Sequence, residues 1–333
     1  MKIAVLAAIA WRTPPEHYGP WEQVASNIAE GLVQAGHDVT LFATANSVTS
    51  GKLNAVINEG YEENRDQDAK VAECLHISNL MEQASSFDII HNNFDFLPLT
   101  WSRLIRTPLI TTIHGFSSQK IIPVYKKYNS TSHYISISNS DRSKELEYLA
   151  TVYNGLNISD FTFGSKPGDY LLYFGRIHPD KGTFEAIQIS MKCKRPLLIA
   201  GIIQDQAYFE EKVKPYLNHE IQFIGPAGPK KRNELLSNAY ALLHPINFNE
   251  PFGMSVAESM LCGTPVIAFN KGSMPELIKD RYSGFLVSNI EEGAEVVGQI
   301  GNIQRADCHE WAKSNFSMEK MVSDYLKAYR QII

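Results

Sequence analysis

The sequence predicts an α/β protein made of two doubly wound units. Three observations carry that expectation. Along the first half, short apolar runs alternate with amphipathic helical segments, the pattern of βα units feeding a parallel sheet. A turn-rich stretch near residue 155 interrupts the alternation, which then starts again. The 333 residues are 44% hydrophobic and 20% charged, which is apolar material for two cores and too much of it for a disordered chain.

The elements follow in order. "MKIAVLAAIA" holds a first strand over about Ile3 to Ala8. It imitates an export signal, with Ala8-Ile9-Ala10 as the cleavage step, but it is short and only one Lys precedes the apolar run. A buried strand with no leader is the expectation. The loop "WRTPPEHYGPW" comes next, then a helix with Val24, Ala25, Ile28, Ala29, Leu32 and Val33 on one face and Gly36 as its C-terminal cap. "DVTLFA" is the second strand, and the strand–helix–strand crossover is expected to be right-handed. "FDIIHNN", "PLITTIHG" and "SHYISISNS" read as further strands, followed by a helix from Asp141 to Tyr148. The polar stretch from Asn46 to Ser86, with a helical middle, reads as an insertion or a solvated helix rather than core.

In "VYNGLNISDFTFGSKPGD" the turn signals Asn-Gly, Lys-Pro and Gly-Asp mark a linker. The expected boundaries are 1–155 for the first domain, 156–169 for the linker, 170–310 for the second domain and 311–333 for a C-terminal helix that packs back toward the first. In that helix Met321, Tyr325 and Ala328 share a face, with Leu326 and Tyr329 beside it. The second domain's strands are "YLLYFG", "PLLIAG", "IQFIG", "YALLHP" and "TPVIAF".

Composition removes several classes of function. A net charge of −5 and a pI near 6.1 argue against nucleic acid as a partner. No run reaches the roughly 18 apolar residues of a membrane span. Cys74, Cys193, Cys262 and Cys308 form no CxxC pair, so they are expected to be reduced, mostly buried thiols of a cytoplasmic protein. No metal site is expected. Asp66-Gln67-Asp68 is a DxD triplet, but it lies far from any strand end and reads as solvated surface.

Open parallel sheets bind ligands beyond the carboxyl ends of their strands, and two such sheets are expected to turn those ends toward one cleft. The chemistry-bearing residues fall there. After "YLLYF" come Arg176, Lys181 and Gly182, two cations on a loop that opens onto a helix N-terminus, an anion site by its nature. As isolated residues they could equally be surface charges. After "YALLHPI" comes "NFNEPFGMSVAES", with Glu250 ahead of a helix expected over about Phe252 to Leu261 and Glu258 about two turns inside it. Backbone N–H groups near Gly253 to Ser255 would point out of that helix start. The plainer reading makes Glu250 a helix-start anion and Glu258 a solvent-facing residue. His114 follows the strand "ITTI", where a lone histidine is more often structural.

Taken together, "GRIHPDKG" and "NEPFGMSVAESMLCGTPVIAFNKGSMPELI" resemble the retaining glycosyltransferases of family 4, which have the GT-B fold. Glu250 and Glu258 match an E-x7-E pattern; Arg176, Lys181 and Gly182 match R-x4-K-G. "YGPWEQVASNIAEGLVQAGHDVTLF" and "ISISNSDRS" are similar to the family as well, so the likeness spans nearly the whole chain. The resemblance implies a metal-independent transfer of a hexosyl group from a nucleotide-sugar, UDP- or GDP-linked, to an acceptor hydroxyl, with no cofactor. It implies that Arg176, Lys181 and Gly19 receive the donor phosphates. Phe252, Gly253, Met254 and Ser255 would present backbone amides to the donor, Glu250 would contact the donor sugar, and Glu258 the ribose. His114 would orient charge near the anomeric carbon. One departure stands out. Where the family carries Gly-Gly, this chain has Gly19-Pro20, and proline has no N–H to lend. Gly19 or the Trp21 N–H would have to serve.

The base is expected near Gly201 and Gly225. The acceptor, whether a sugar, a lipid-linked or a small molecule, is expected on the first domain, near Tyr18, Asn92, Asn93 and the segment from Phe116 to Tyr128. Lys120, Lys126 and Lys127 beside Ile121, Ile122 and Tyr125 raise a membrane-docking patch, but the run is short and holds Pro123, which favours a solvated helix. Three rivals remain. A retaining glycosidase needs two carboxylates about 5 Å apart and has no use for the Arg/Lys loop. A nucleotide-sugar epimerase needs no acceptor. A non-catalytic binding module would have no need of both motifs intact.

Overall fold

The computed structural model describes residues 1–16, 19–116 and 118–333. They form two compact units, Met1–Leu156 with Met318–Ile333, and Asn157–Ser317. The chain therefore passes from the first unit to the second and returns.

The first unit runs β1 (Lys2–Leu6), α1 (Pro20–Gln34), β2 (Asp38–Phe42), β3 (Lys52–Asn54), α2 (Ala69–Met81), β4 (Ile89–Asn92), β5 (Leu109–Ile113), α3 (Ile122–Tyr128), β6 (His133–Ser136) and β7 (Ala150–Thr151). The strands pair in parallel in the order β3-β2-β1-β4-β5-β6-β7. Parallel strands bury both faces, which is why β1 reads as a continuous apolar run and why Ile3, Ala4, Val5 and Leu6 are all inaccessible. Pro20 opens α1, where a missing N–H costs nothing, and Val24, Ala25, Ile28, Ala29 and Leu32 face the sheet. Gly36, at φ +83°, turns the chain into β2.

Three local expectations fail here. No helix forms over residues 141–148. Side chains take the backbone groups that a helix would pair: Ser138 Oγ accepts the Asp141 N–H at 3.2 Å and the Tyr148 hydroxyl accepts the Ser143 N–H at 3.0 Å. The Asn129 amide binds the N–H of Glu147 at 2.7 Å and its carbonyl at 3.0 Å. The polar stretch 46–86 is not an insertion free of the core. It supplies edge strand β3, and α2 buries Ala72, His76, Ile77, Leu80 and Met81. Of the DxD triplet, Asp66 and Asp68 are exposed, and Asp68 caps α2 by accepting the Val71 N–H at 3.1 Å. Cys74, on α2, is exposed rather than buried, whereas Cys262 and Cys308 are buried and Cys193 is intermediate; all four are free.

The second unit runs β8 (Leu171–Phe174), α4 (Thr183–Cys193), β9 (Leu197–Ala200), the single turn α5 (Gln206–Tyr208), β10 (Ile221–Gly225), α6 (Pro229–Asn238), β11 (Ala241–His244), α7 (Met254–Leu261), β12 (Val266–Phe269), α8 (Met274–Leu277), β13 (Gly284–Val287), α9 (Ile290–Val297) and α10 (Arg305–Phe316). Its sheet is parallel, in the order β10-β9-β8-β11-β12-β13. The strand order reverses between β8 and β11 here, and between β1 and β4 in the first unit, so each sheet has a crevice beyond those strand ends.

Residues 157–169 pack on the second unit. Gly164 N–H donates to Cys262 O at 3.0 Å and Gly168 N–H to Asn238 O at 2.9 Å. Arg305, 8% exposed, fastens this segment down. Its guanidinium donates to the carbonyls of Gly164, Ser237 and Ala239 and to Thr264 Oγ1. Residues 311–333 are two helices, the end of α10 in the second unit and then α11 (Met318–Tyr329) in the first. Helix α11 buries Met318, Met321, Val322, Tyr325, Ala328 and Tyr329. Tyr329 OH meets His91 Nδ1 at 2.7 Å, His91 Nε2 meets Thr112 Oγ1 at 2.8 Å, and Thr112 meets Tyr325 OH at 2.9 Å. This chain of hydrogen bonds joins α11 to β4 and β5. Among the described residues, no helix is long and apolar enough to cross a membrane.

Two outcomes follow for stability. Arg305→Met strands several buried acceptors, so its urea midpoint is expected to fall by the equivalent of about 3 kcal/mol. Burial pushes His91 down to about 3 from its ordinary 6.5. Between those values the unfolded chain binds the proton and the folded chain does not, so stability is lost as pH falls below 6.5. His91→Gln is expected to remove a slope of at most about 1.4 kcal/mol per pH unit from urea unfolding measured between pH 6.5 and 4.

Candidate active site

In the second unit the loops after β8 and β11 are joined backbone to backbone. The single 3₁₀ turn Pro179–Lys181 is capped by His178, whose Nδ1 accepts the Asp180 N–H at 3.2 Å. Gly182 follows at φ +72°, and a Cβ there would lie 1.8 Å from Pro245 O, so only glycine lets this loop reach the end of β11. Asn247 completes the joint. Its N–H donates to Asp180 O at 2.7 Å, and its side-chain amide donates to Pro179 O at 3.1 Å and to Glu185 Oε1 at 2.7 Å. Lys181 is thereby set against Glu250. Nζ and Oε2 form an ion pair with both side chains largely buried (15% and 14% exposed), and the ammonium lies 4.7 Å over the Phe248 ring. Arg176 projects from the same loop, half-buried, and donates to Gln204 Oε1.

Helix α7 starts at Met254, two residues later than expected, because Gly253 takes φ +93°. No side chain caps it, so the N–H groups of Met254 and Ser255 open the helix at a partly accessible surface. Phe252 is a packing residue. Its ring is buried edge-on against Phe316 at 5.8 Å and its carbonyl accepts the Ser273 hydroxyl at 2.6 Å. The backbone at Glu250 is fixed by Ser273 N–H, which donates to Glu250 O at 3.0 Å.

Glu258 is the fifth residue of α7, about one turn in rather than two, and it is 6% exposed rather than solvent-facing. Its Oε1 accepts from Arg232 Nη1 of α6 at 3.0 Å. Burial raises the Glu258 pKa and the Arg232 charge opposes that rise. The two glutamates therefore each have their own cation, Lys181 for Glu250 and Arg232 for Glu258. Arg232 was not foreseen, since in "PKKRNELL" it looks like any solvated charge. His244 was also missed, although its strand-end position was the signal that marked His114. It lies 3.9 Å from Glu250 Oε2. Gly201 and Gly225 pair with each other, Gly201 N–H donating to Gly225 O at 3.0 Å.

In the first unit His114 follows β5. Its Nε2 lies 3.1 Å from Asn93 Oδ1 and its ring stacks on Trp21 at 6.1 Å. Burial pushes its pKa down to about 4, so the ring is neutral near pH 7. Asn93 Nδ2 is buried without a partner, whereas Asn92 is committed to Asp95 O at 2.7 Å and Thr111 Oγ1 at 3.1 Å. Gly19 is the N-cap of α1 at φ +155°, and its carbonyl accepts the Gln23 N–H at 2.9 Å. Tyr18 lies outside the described residues. In the segment Phe116–Tyr128, of which Ser117 is also outside them, Ile122, Tyr125 and Tyr128 are buried, leaving Lys126 and Lys127 on the surface. Among the described residues no group of three His, Cys, Asp or Glu side chains converges to hold a metal.

Comparison with known proteins bears on the two units as a whole. Residues 158–313 match the family model "Glycosyl transferases group 1", and residues 21–159 match "Glycosyltransferase Family 4". An uncharacterised glycosyltransferase of Methanocaldococcus jannaschii is 23% identical, over 86% of this chain and 85% of its own length. Among solved structures, a glycosyltransferase involved in avilamycin A biosynthesis superposes with a TM-score of 0.75 at 21% identity, covering 100% of this chain and 98% of its own. HepE of Anabaena, solved in complex with UDP and glucose, also gives 0.75, at 19% identity over the full length of both chains. Two abutting family models that run from residue 21 to residue 313, on two parallel Rossmann-like sheets, make this chain a glycosyltransferase of the GT-B type.

Proposed function

We propose that the protein transfers a hexosyl group, with retention at the anomeric carbon, from a nucleotide-sugar to an acceptor hydroxyl, without a metal ion. The observation that carries the reading is the convergence of Lys181, Glu250 and the uncapped start of α7 beyond β8 and β11. Fixed positive charge at that place suits a diphosphate leaving group, whose charge grows as the glycosidic bond breaks. Arg176 and Lys181 take the phosphates, with the amides of Gly253, Met254 and Ser255 beside them. Glu250 holds the donor sugar. Glu258, buried against Arg232, takes the ribose hydroxyls. In the first unit, His114 orients charge at the anomeric carbon as a neutral imidazole, and Gly19 serves the phosphates where the usual second glycine is Pro20.

In this reading the acceptor oxygen bonds to the anomeric carbon as the bond from that carbon to the diphosphate oxygen breaks. The acceptor's proton passes to the leaving phosphate on the same face. Of the donor bases, the UDP complexes of HepE favour uracil over guanine. The acceptor is a sugar, a lipid-linked sugar or a small hydroxyl compound. Contact with a membrane surface is not favoured, because α3 turns Ile122 and Tyr125 inward.

The decisive experiment is a thermal-shift screen with UDP-, GDP- and ADP-sugars, in which one nucleotide series is expected to raise the melting temperature. No shift from any of them would refute the reading. With that donor, Arg176→Ala combined with Lys181→Ala is expected to lower kcat/KM by at least about 100-fold. Glu258→Ala is expected to act mainly on nucleotide affinity, by about 10-fold or more in Kd, and Glu250→Ala mainly on kcat. Two glutamate-dependent ionisations in the pH–rate profile would instead point to acid–base hydrolysis.

A further inference from the structure

His244 has no part in the mechanism above. It is the last residue of β11, 6% exposed, and its Nε2 is buried with no hydrogen-bond partner. A buried polar atom left unpaired calls for an explanation. Glu250 Oε2, the same oxygen that Lys181 holds, lies 3.9 Å from that nitrogen. Burial and the Lys181 charge push the His244 pKa down to about 3, so the ring is neutral, and a neutral imidazole still carries one N–H. One carboxylate oxygen thus faces two candidate donors, of which only the ammonium is engaged.

A diphosphate arriving at the Arg176–Lys181 loop competes for that ammonium. Phosphate carries more charge than a carboxylate, and the lysine stem is flexible. Glu250 would then be left at a largely buried position without its cation, at the moment when it has to hold the sugar. We infer that His244 is a positioning residue for Glu250, its Nε2–H taking up the carboxylate as Lys181 turns to the diphosphate. This rests on the donor-site reading above. Closing the gap takes about 1 Å of side-chain movement, and the proton stays on Nε2 throughout. Glu250 exchanges one donor for another and keeps its aim. The diphosphate and the sugar contact are thereby linked: the phosphate frees Glu250 from the lysine, and the imidazole stops it from drifting.

The test uses the full chain with ¹⁵N-labelled histidine rings, and UDP, GDP, UDP-glucose and GDP-mannose as probes. The His244 signals are assigned by their loss in His244→Gln. Nε2 is expected to carry its proton with and without nucleotide, and saturation with the nucleotide that raises the melting temperature is expected to shift the Nε2–H signal to that of a hydrogen-bonded N–H, and not to do so in Glu250→Ala. His244→Phe is expected to bind the nucleotide diphosphate within about twofold of wild type. Its kcat for nucleotide release from the sugar donor, with water as acceptor, is expected to fall at least about tenfold with KM little changed. His244→Gln, which keeps an N–H donor, is expected to recover most of that loss. Bound nucleotide with an unmoved Nε2 signal, or equal impairment of the Phe and Gln variants, overturns the inference and leaves the donor site standing. Failure of every nucleotide to bind the wild-type chain overturns both. Should His244→Phe not fold, the ring signals of the wild-type chain decide.

Discussion

Parallel strands can be joined only by crossovers, so every strand of a parallel sheet finishes on the same edge. Both units obey this constraint, and the placement of their polar residues follows from it. Lys181 and Glu250 are 69 positions apart in the chain, yet they meet because β8 and β11 are neighbours whose following loops open on that edge. Asn93 and His114 meet for the same reason after β4 and β5. Apart from the His91–Thr112 network under α11, the sheet interiors are largely apolar, so the strand ends are where polar side chains can gather with some access to water.

The second unit keeps its site electrically balanced. Each glutamate of the E-x7-E pair has a cation within its own loop or helix neighbourhood, and each cation has a second, softer contact: Phe248 under Lys181 and Phe161 under Arg232. Unpaired carboxylates at these depths would be strongly destabilising. Compensation within the protein lets the charges be present before any ligand arrives. A ligand then enters by exchanging partners, which makes its own charge distribution the quantity that is recognised.

Much of this was legible in the sequence. The strands that carry site residues are short apolar runs bounded by Gly, Pro or Asn, and the two motifs lie directly after them. The positive φ of the site glycines is a local demand of the turn, and it makes them legible even though the atoms a Cβ would meet are distant in sequence. Gly182 and Gly253 have positive φ and a neighbour where a Cβ would go. What escaped depends on partners distant in sequence or on competition for backbone groups. The residues 141–148 have helical spacing, but Ser138, Asn129 and Tyr148 claim their amides. Edge strands β3 and β7 are two or three residues long, below any periodicity. Arg232 is distinguished from its lysine neighbours only by facing Glu258 across two helices, and His244 only by a nitrogen with nothing to bind.

The return of α11 to the first unit has a consequence for biosynthesis. A ribosome releases the chain from its N-terminus, and domains generally fold as they emerge. Residues 1–156 emerge first, yet the groove they leave for Met321, Tyr325 and Tyr329 stays open until everything up to residue 329 has been made. Until then His91 and Thr112 lack their tyrosine hydroxyls, and the apolar flank of α1 at Gly31 lacks Val322 and Met318. The second unit suffers no such delay, since its residues are contiguous. The half of the protein that is synthesised first is the half that matures last, and a nascent chain stalled short of its final helix would hold a finished second unit beside an unfinished first one.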